Sequence, residues 1–158
     1  MQKKSNPLDL YRKYFTDKGD ERLGLFEVLS KRFSLTRGLY PGSFVHVTPS
    51  FVIPEMVYVD TDKRANKFFN SPEVLQYVKK KKTYLEDPVI KFHLLDFTAE
   101  IPEERESFDV LISLYAGLIS KYCIGYLKTG GILVTNNSHG DASYARLATG
   151  LEFIGVVL

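Results

Sequence analysis

The sequence predicts an α/β fold: a mainly parallel sheet with helices on both faces, preceded by an N-terminal helical extension. Three observations predict it. From Gly38 onward, short apolar runs alternate with helical stretches. Most of those runs are continuously apolar rather than half polar, as strands covered on both faces are. Before them, residues 1–35 carry apolar side chains at three- and four-residue steps. The extension is therefore set at 1–35 and the α/β unit at 36–158, without an internal repeat or a low-complexity linker.

Each element follows in order. Leu8, Tyr11 and Phe15 mark a first helix that Asn6-Pro7 can start; after the turn "TDKGD", Leu23, Phe26, Leu29 and Phe33 mark a second. Asp20 and Glu21 are expected in the first turn of that second helix, where acids suit the dipole. The strand candidates are "RGLYPG", "MVYVD", "VIKFHLLDF", "FDVLISLYAG", "GILVTNN" and "LEFIGVVL". Between the second and third, Ser71 can cap a helix, Pro72 suits its first position, and Val74, Leu75 and Val78 share a face. Lys79, Lys80, Lys81 and Lys82 end it, where cations suit the dipole. Leu118, Ile119, Tyr122, Cys123 and Tyr126 suggest another helix, and "KTGG" a helix-to-strand turn. Residues 141–149 read as a helix stopped by Gly150. The last run reads as a strand that is an edge, is paired by a partner chain, or belongs to a fragment.

Composition narrows the function classes. The 158 residues are one domain's worth, and 44% hydrophobic content with ten Tyr and eleven Phe supplies a core. A net charge of +2 does not argue for a nucleic-acid partner, and the lysines at 79–82 read first as a solvated helix end. The single Cys123 excludes an internal disulfide and a multi-cysteine zinc site, and reads as a buried thiol. No two of His46, His93 and His139 stand at helical metal-ligand spacing, so no metal is expected. The opening "MQKKSNPLDLYRKYF" has no apolar leader core and no run is long enough for a bilayer, which predicts a cytoplasmic protein without a membrane partner.

In an open parallel sheet, ligands bind beyond the carboxyl ends of the strands, near the reversal of strand order. The residues at those ends are Tyr40, Pro41, Gly42 and Ser43, then Asp60 and Thr61, Asp96 and Phe97, Leu114 and Tyr115, and finally Asn136, Asn137, Ser138 and His139. An acid at the second strand's tip can accept hydrogen bonds from both ribose hydroxyls; an acid and a ring after the third can meet the amino group and face of adenine. Asp60 serves equally as a cap for the helix in "DTDKRANKFF", and Asp96 as a turn cap. Asp109 precedes its strand, at the other end of the sheet.

Those residues resemble the class I S-adenosylmethionine-dependent methyltransferases, a Rossmann-like family, over residues 38–158. The lead into "FDVLIS", a helix, and then "LKTGGILV" resemble that family's fourth strand, helix and fifth strand, and its strand-two and strand-three acids fall on Asp60 and Asp96. The family's first loop reads acid-x-Gly-x-Gly-x-Gly. Aligned on Gly42, this chain has Tyr40 at the acid and Phe44 and His46 at the later glycines, and such side chains would reshape the pocket or close it. Pro49 and Pro54 predict a short or distorted helix after that loop. The resemblance implies S-adenosylmethionine as cofactor and methyl transfer to a small-molecule acceptor. It leaves open a non-catalytic binding or assembly module that has lost the cofactor, and an RNA-modifying enzyme using the lysine edge. No catalytic residue is assigned; Tyr115, Asn136, Asn137, His139 and Asp141 are the candidates, and "SLYAG" lacks the Asx-Pro-Pro-aromatic motif of amide DNA methyltransferases.

Overall fold

A computed structural model of the chain describes residues 4–148 and 150–158. Strands β1 (Arg37–Pro41), β2 (Glu55–Asp60), β3 (Val89–Leu94), β4 (Phe108–Ser113) and β5 (Leu127–Thr135) form one sheet in the order β3-β2-β1-β4-β5. Every pairing is parallel. The chain steps outward from β1 to β3 and then crosses to the other side of β1 for β4, so strand order reverses between β1 and β4. The helices are α1 (Leu8–Tyr11), α2 (Leu23–Phe33), α3 (Lys63–Phe69), α4 (Pro72–Lys81), α5 (Ile119–Cys123) and α6 (Asp141–Leu147).

Strand alternation divides the core in two. Tyr40, Met56, Tyr58, Val110 and Ile112 face one way and pack with Phe26 and Leu29 of α2, Ala65 and Phe68 of α3, and Val74 and Val78 of α4. Leu39, Val57, Val59 and Leu111 face the other way, with Ile101, Ile119, Cys123 and Tyr126. Both faces are covered, which is why the runs that form β1, β2 and β4 are continuously apolar. Burial pushes the Cys123 thiol up to about 12, leaving it a core side chain rather than a nucleophile.

On the second face, residues 95–107 cross the sheet and carry Glu103, whose side chain is 2% exposed and lies 3.0 Å from Arg37, 3.0 Å from Lys91 and 3.3 Å from His93. Burial pushes its carboxyl upward, yet the bonds from Lys91 and His93 win and hold it below the usual carboxylate range.

The N-terminal segment joins the first core. After α1 the chain continues as a π-helical turn, Arg12–Thr16. Leu8, Tyr11 and Phe15 are buried there, and the Tyr11 hydroxyl lies 2.7 Å from Thr48 Oγ1. Burying three such side chains contributes about 2 kcal/mol each, so this helix is firmly seated.

Several sequence expectations need correction. Residues 151–158 form no strand; Phe153, Ile154, Val156 and Leu158 are exposed, because an apolar run makes a strand only where a neighbour supplies the ladder. "KTGG" lies inside β5, where a register irregularity opposite Phe108 and Val110 takes up Gly130 at φ +82°; the glycines make a bulge, not a turn. Asp20 and Glu21 precede α2, since Arg22 at φ 57° is its N-cap. Residues 1–3 of the extension and Thr149, the expected helix end, lie outside the described residues. The connector after β1 holds only a 3-10 turn, Thr48–Phe51, with Pro49 inside it. Among the described residues, no helix is long and apolar enough to cross a membrane, and no three potential metal ligands cluster.

Candidate functional site

At the reversal, the end of β1 touches the end of β4. Gly42 has φ +65°, its N–H donates to the Val59 carbonyl at 2.7 Å, and a Cβ there would stand 2.2 Å from Ala116 Cβ. Gly42→Ala therefore combines a left-handed backbone with a collision. It is expected to lower the unfolding free energy by about 2 kcal/mol, read from the urea midpoint. Pro41 and Ser43 are buried beside it, and Ser43 Oγ donates to the Phe44 carbonyl at 3.1 Å.

Phe44 stands where the resemblance expects glycine, yet its backbone is left-handed, φ 47°. That conformation costs a non-glycine residue about 1–2 kcal/mol. The Phe44 N–H donates to Asp60 Oδ2 at 2.7 Å, a charge-assisted bond that offsets the strain. The half-buried ring lies between Tyr14, 5.1 Å away, and the Arg64 guanidinium, 4.8 Å away.

The other two bulky residues of the loop turn inward. Tyr40 and His46 are fully buried. A carbonyl only accepts, so His46 Nε2–H donates to Glu21 O at 2.8 Å, and Nδ1 accepts from the Tyr40 hydroxyl at 2.7 Å. Phe15 stacks on the imidazole at 4.4 Å. Burial lowers the His46 pKa to about 4, outweighing the Glu21 bond and the Asp20 charge that favour protonation.

The two strand-end acids share one edge. Asp60 is in register with Leu94, and Leu95 N–H donates to the Asp60 carbonyl at 3.1 Å, so Asp96 follows two residues beyond that pair. Asp60 Oδ1 accepts the Asp62 N–H at 2.9 Å, while Asp62 itself caps α3 by accepting from Arg64 N–H at 2.8 Å. Among the described residues each Asp60 oxygen accepts one backbone bond, which leaves it a lone pair. Asp96 Oδ1 accepts from Thr98 N–H and Oγ–H at 2.9 and 2.8 Å, bonds that hold its carboxyl below the usual range. Among the described residues nothing bonds its Oδ2. Thr61 is exposed, and the Phe97 ring fills the space that a side chain at Gly117 would need, 3.2 Å from its absent Cβ.

Leu114 is buried, and its carbonyl accepts from Ser138 Oγ at 3.0 Å. The Tyr115 hydroxyl donates to Asp20 Oδ2 at 3.0 Å and accepts from Arg22 Nε at 2.9 Å, closing a triad with the 3.2 Å Asp20–Arg22 pair. His139 and Asp141 do not meet in the way a catalytic pair would. His139 is exposed beside Ser138, whereas Asp141 is buried and accepts from Ser113 Oγ, Ser120 N–H at 3.1 Å and Ser120 Oγ at 2.6 Å.

The structure thus joins Gly42, Ser43 and Phe44 to the end of β2 at Val59 and Asp60, sets Asp96 two residues beyond the register partner of Asp60, and places Phe97 against Gly117. Tyr115 lies under the N-terminal segment, while Tyr40 and Leu114 face the core. Sequence reading missed Tyr14, Asp20, Arg22 and Arg64, which carry no spacing signal linking them to strand ends.

No protein-family model matches the chain, and no curated protein matches it. Solved structures do. The N-methyltransferase NodS from Bradyrhizobium japonicum superposes with a TM-score of 0.54 at 17% identity, over 82% of this chain and 72% of that one. A SAM-dependent methyltransferase from Aquifex aeolicus gives 0.53 at 14% identity, over 84% and 72%. The [4+2]-cyclase SpnF gives 0.53 at 14%, over 72% and 44%. The chain spans 44% of the length of the cyclase and 72% of the other two. At these identities the likeness is one of fold: a Rossmann-like α/β sheet shared with S-adenosylmethionine-dependent methyltransferases. A cyclase among the neighbours shows that the fold does not dictate the reaction.

Proposed function

We infer that this chain binds S-adenosylmethionine along the carboxyl edge of β1 to β4 and transfers its methyl group to a small-molecule acceptor. The observation that carries the reading is Asp60. It ends β2 beside a glycine-type turn, half-buried, with a lone pair left on each oxygen. That pair of acceptors suits two donating ribose hydroxyls. Asp96 Oδ2 and the Phe97 ring suit the amino group and face of adenine, with Thr61 alongside, and the Pro41-Gly42-Ser43 turn suits a close backbone approach. When bound, the cofactor supplies an electrophilic methyl group on a sulfonium. The chain's part is alignment and exclusion of water; the rings of Phe44 and Tyr115, which follow β1 and β4, pack against Tyr14 and Phe15 respectively. Proton removal then follows the acidity of the acceptor.

A small acceptor suits the charge layout. Lys82 Nζ donates to the carbonyls of Tyr84, Leu85 and Glu86, so it serves its own loop. The lysine end of α4 leads toward the start of β3, at the opposite edge from the acids. A second reading, a non-catalytic binding module, is favoured by Phe44, which carries a ring, packed between Tyr14 and Arg64, where the resemblance expects none.

One experiment separates the two. S-adenosylhomocysteine, the demethylated product, at 100 times its Kd is expected to stabilise the native chain by about 2.7 kcal/mol, seen as a rise in Tm. Asp60→Ala should weaken that binding by at least tenfold, a loss of about 1.4 kcal/mol or more. No rise at millimolar ligand would favour the non-catalytic module.

A further inference from the structure

We propose that residues 17–22 are a gate held shut in cis, with the Asp20 carboxylate occupying an anion position, beside the Arg22 guanidinium and on the Tyr115 hydroxyl, that receives a ligand carboxylate when the gate opens. This rests on the cofactor reading above.

The segment is bounded by fixed structure. Before it, Tyr11 and Phe15 are buried; after it, Phe26 and Leu29 are. Within it, Asp17, Lys18 and Gly19 are exposed and Asp20 and Glu21 half-buried. Motion is thereby confined to one turn, and its two left-handed residues, Gly19 at φ 65° and Arg22 at φ 57°, are where the backbone would swing. Arg22 has no glycine's freedom, so the shut state holds strain that opening relieves.

The latch is built to be exchanged. Asp20 and Arg22 are 40% and 37% exposed, and ion pairs so placed are weak. Its chemistry is nevertheless specific: one carboxylate oxygen faces Arg22 Nε at 3.2 Å and the other accepts from Tyr115 at 3.0 Å. Withdrawal of Asp20 leaves a cationic donor and a hydroxyl without their anion, next to Ala116 and the Gly42 turn. His46 Nε2–H, now on the Glu21 carbonyl, would need a new acceptor at the same moment. A ligand carboxylate that supplies those bonds competes with the turn, and one lacking it does not.

The full-length chain, Asp20→Ala and Asp17→Ala are titrated calorimetrically with S-adenosylhomocysteine, which bears a carboxylate, and with adenosine, which does not. Trypsin cleavage after Lys18 is followed in parallel. Asp20→Ala is expected to bind S-adenosylhomocysteine about fivefold tighter, to leave adenosine unchanged, and to be cut about fivefold faster. Asp17→Ala, outside the latch, should match wild type throughout. An equal gain for adenosine, or wild-type affinity and cleavage in Asp20→Ala, overturns the gate while leaving the cofactor reading intact. Failure of both nucleosides to bind any of the three proteins overturns the cofactor reading, and the gate with it.

Discussion

Replacing Asp141 by alanine is expected to lower the unfolding free energy by about 3–5 kcal/mol, the largest effect of any single substitution considered. Asp141 is 2% exposed and ties three elements: Ser113 at the end of β4, Ser120 in α5, and, more loosely at 3.5 Å, Thr135 at the end of β5. Its removal leaves two hydroxyls and the Ser120 N–H facing a void with no acceptor. For a chain of this size the loss corresponds to a fall in Tm of about 10 °C. Ser113→Ala and Ser120→Ala each delete a donor together with its demand, so about 1 kcal/mol is expected for either. If Asp141→Ala fell no further than those two, the carboxylate would not be the tie. The same bonds fix the loop that carries Leu114 and Tyr115, so the loss should extend to weaker S-adenosylhomocysteine binding.

The second large effect is a dependence on pH. The His46 pKa is about 4 in the folded chain, below the ordinary 6.5, because burial disfavours the imidazolium. The unfolded chain therefore takes up the proton first. The stability contributed by neutral His46 is complete above about pH 6.5, declines as pH falls, and is gone below about 4, with about 3 kcal/mol lost across the window. Carboxyls held low in the fold act elsewhere: Asp109, at about 2, and Glu103, Asp62 and Asp96 give up their contributions only as pH falls below the usual carboxylate range. Urea titrations at pH 7, 5.5 and 4.5 should show the decline in wild type and its loss in His46→Gln, even if that variant starts out less stable. Equal slopes in the two proteins would show that His46 is not the titrating group.

Much of the fold was legible because burial on both faces writes itself into letters. "MVYVD" and "FDVLIS" have few alternatives to a central strand, and once the strands are parallel their carboxyl ends locate Gly42, Asp60 and Asp96 without further information. The bulge in β5 was not legible, since Gly130-Gly131 reads as a turn until β4 lies alongside. The apolar residues 151–158 resembled a strand for the same reason: composition reports side chains, not whether a ladder is available. Helical periodicity named Leu8, Tyr11 and Phe15 as buried but could not say against what, and so gave no hint that the following turn reaches Tyr115. Asp60 and Asp62, two residues apart, were interchangeable as caps on paper. Backbone geometry assigned capping to one and left the other facing the edge.

Phe44 carries a wider consequence. Its main chain reproduces a shape normally written with the smallest amino acid, held there by a neighbouring acid rather than by the absence of a side chain. A pattern defined by letters passes over such a turn, whereas a trace of torsion angles does not.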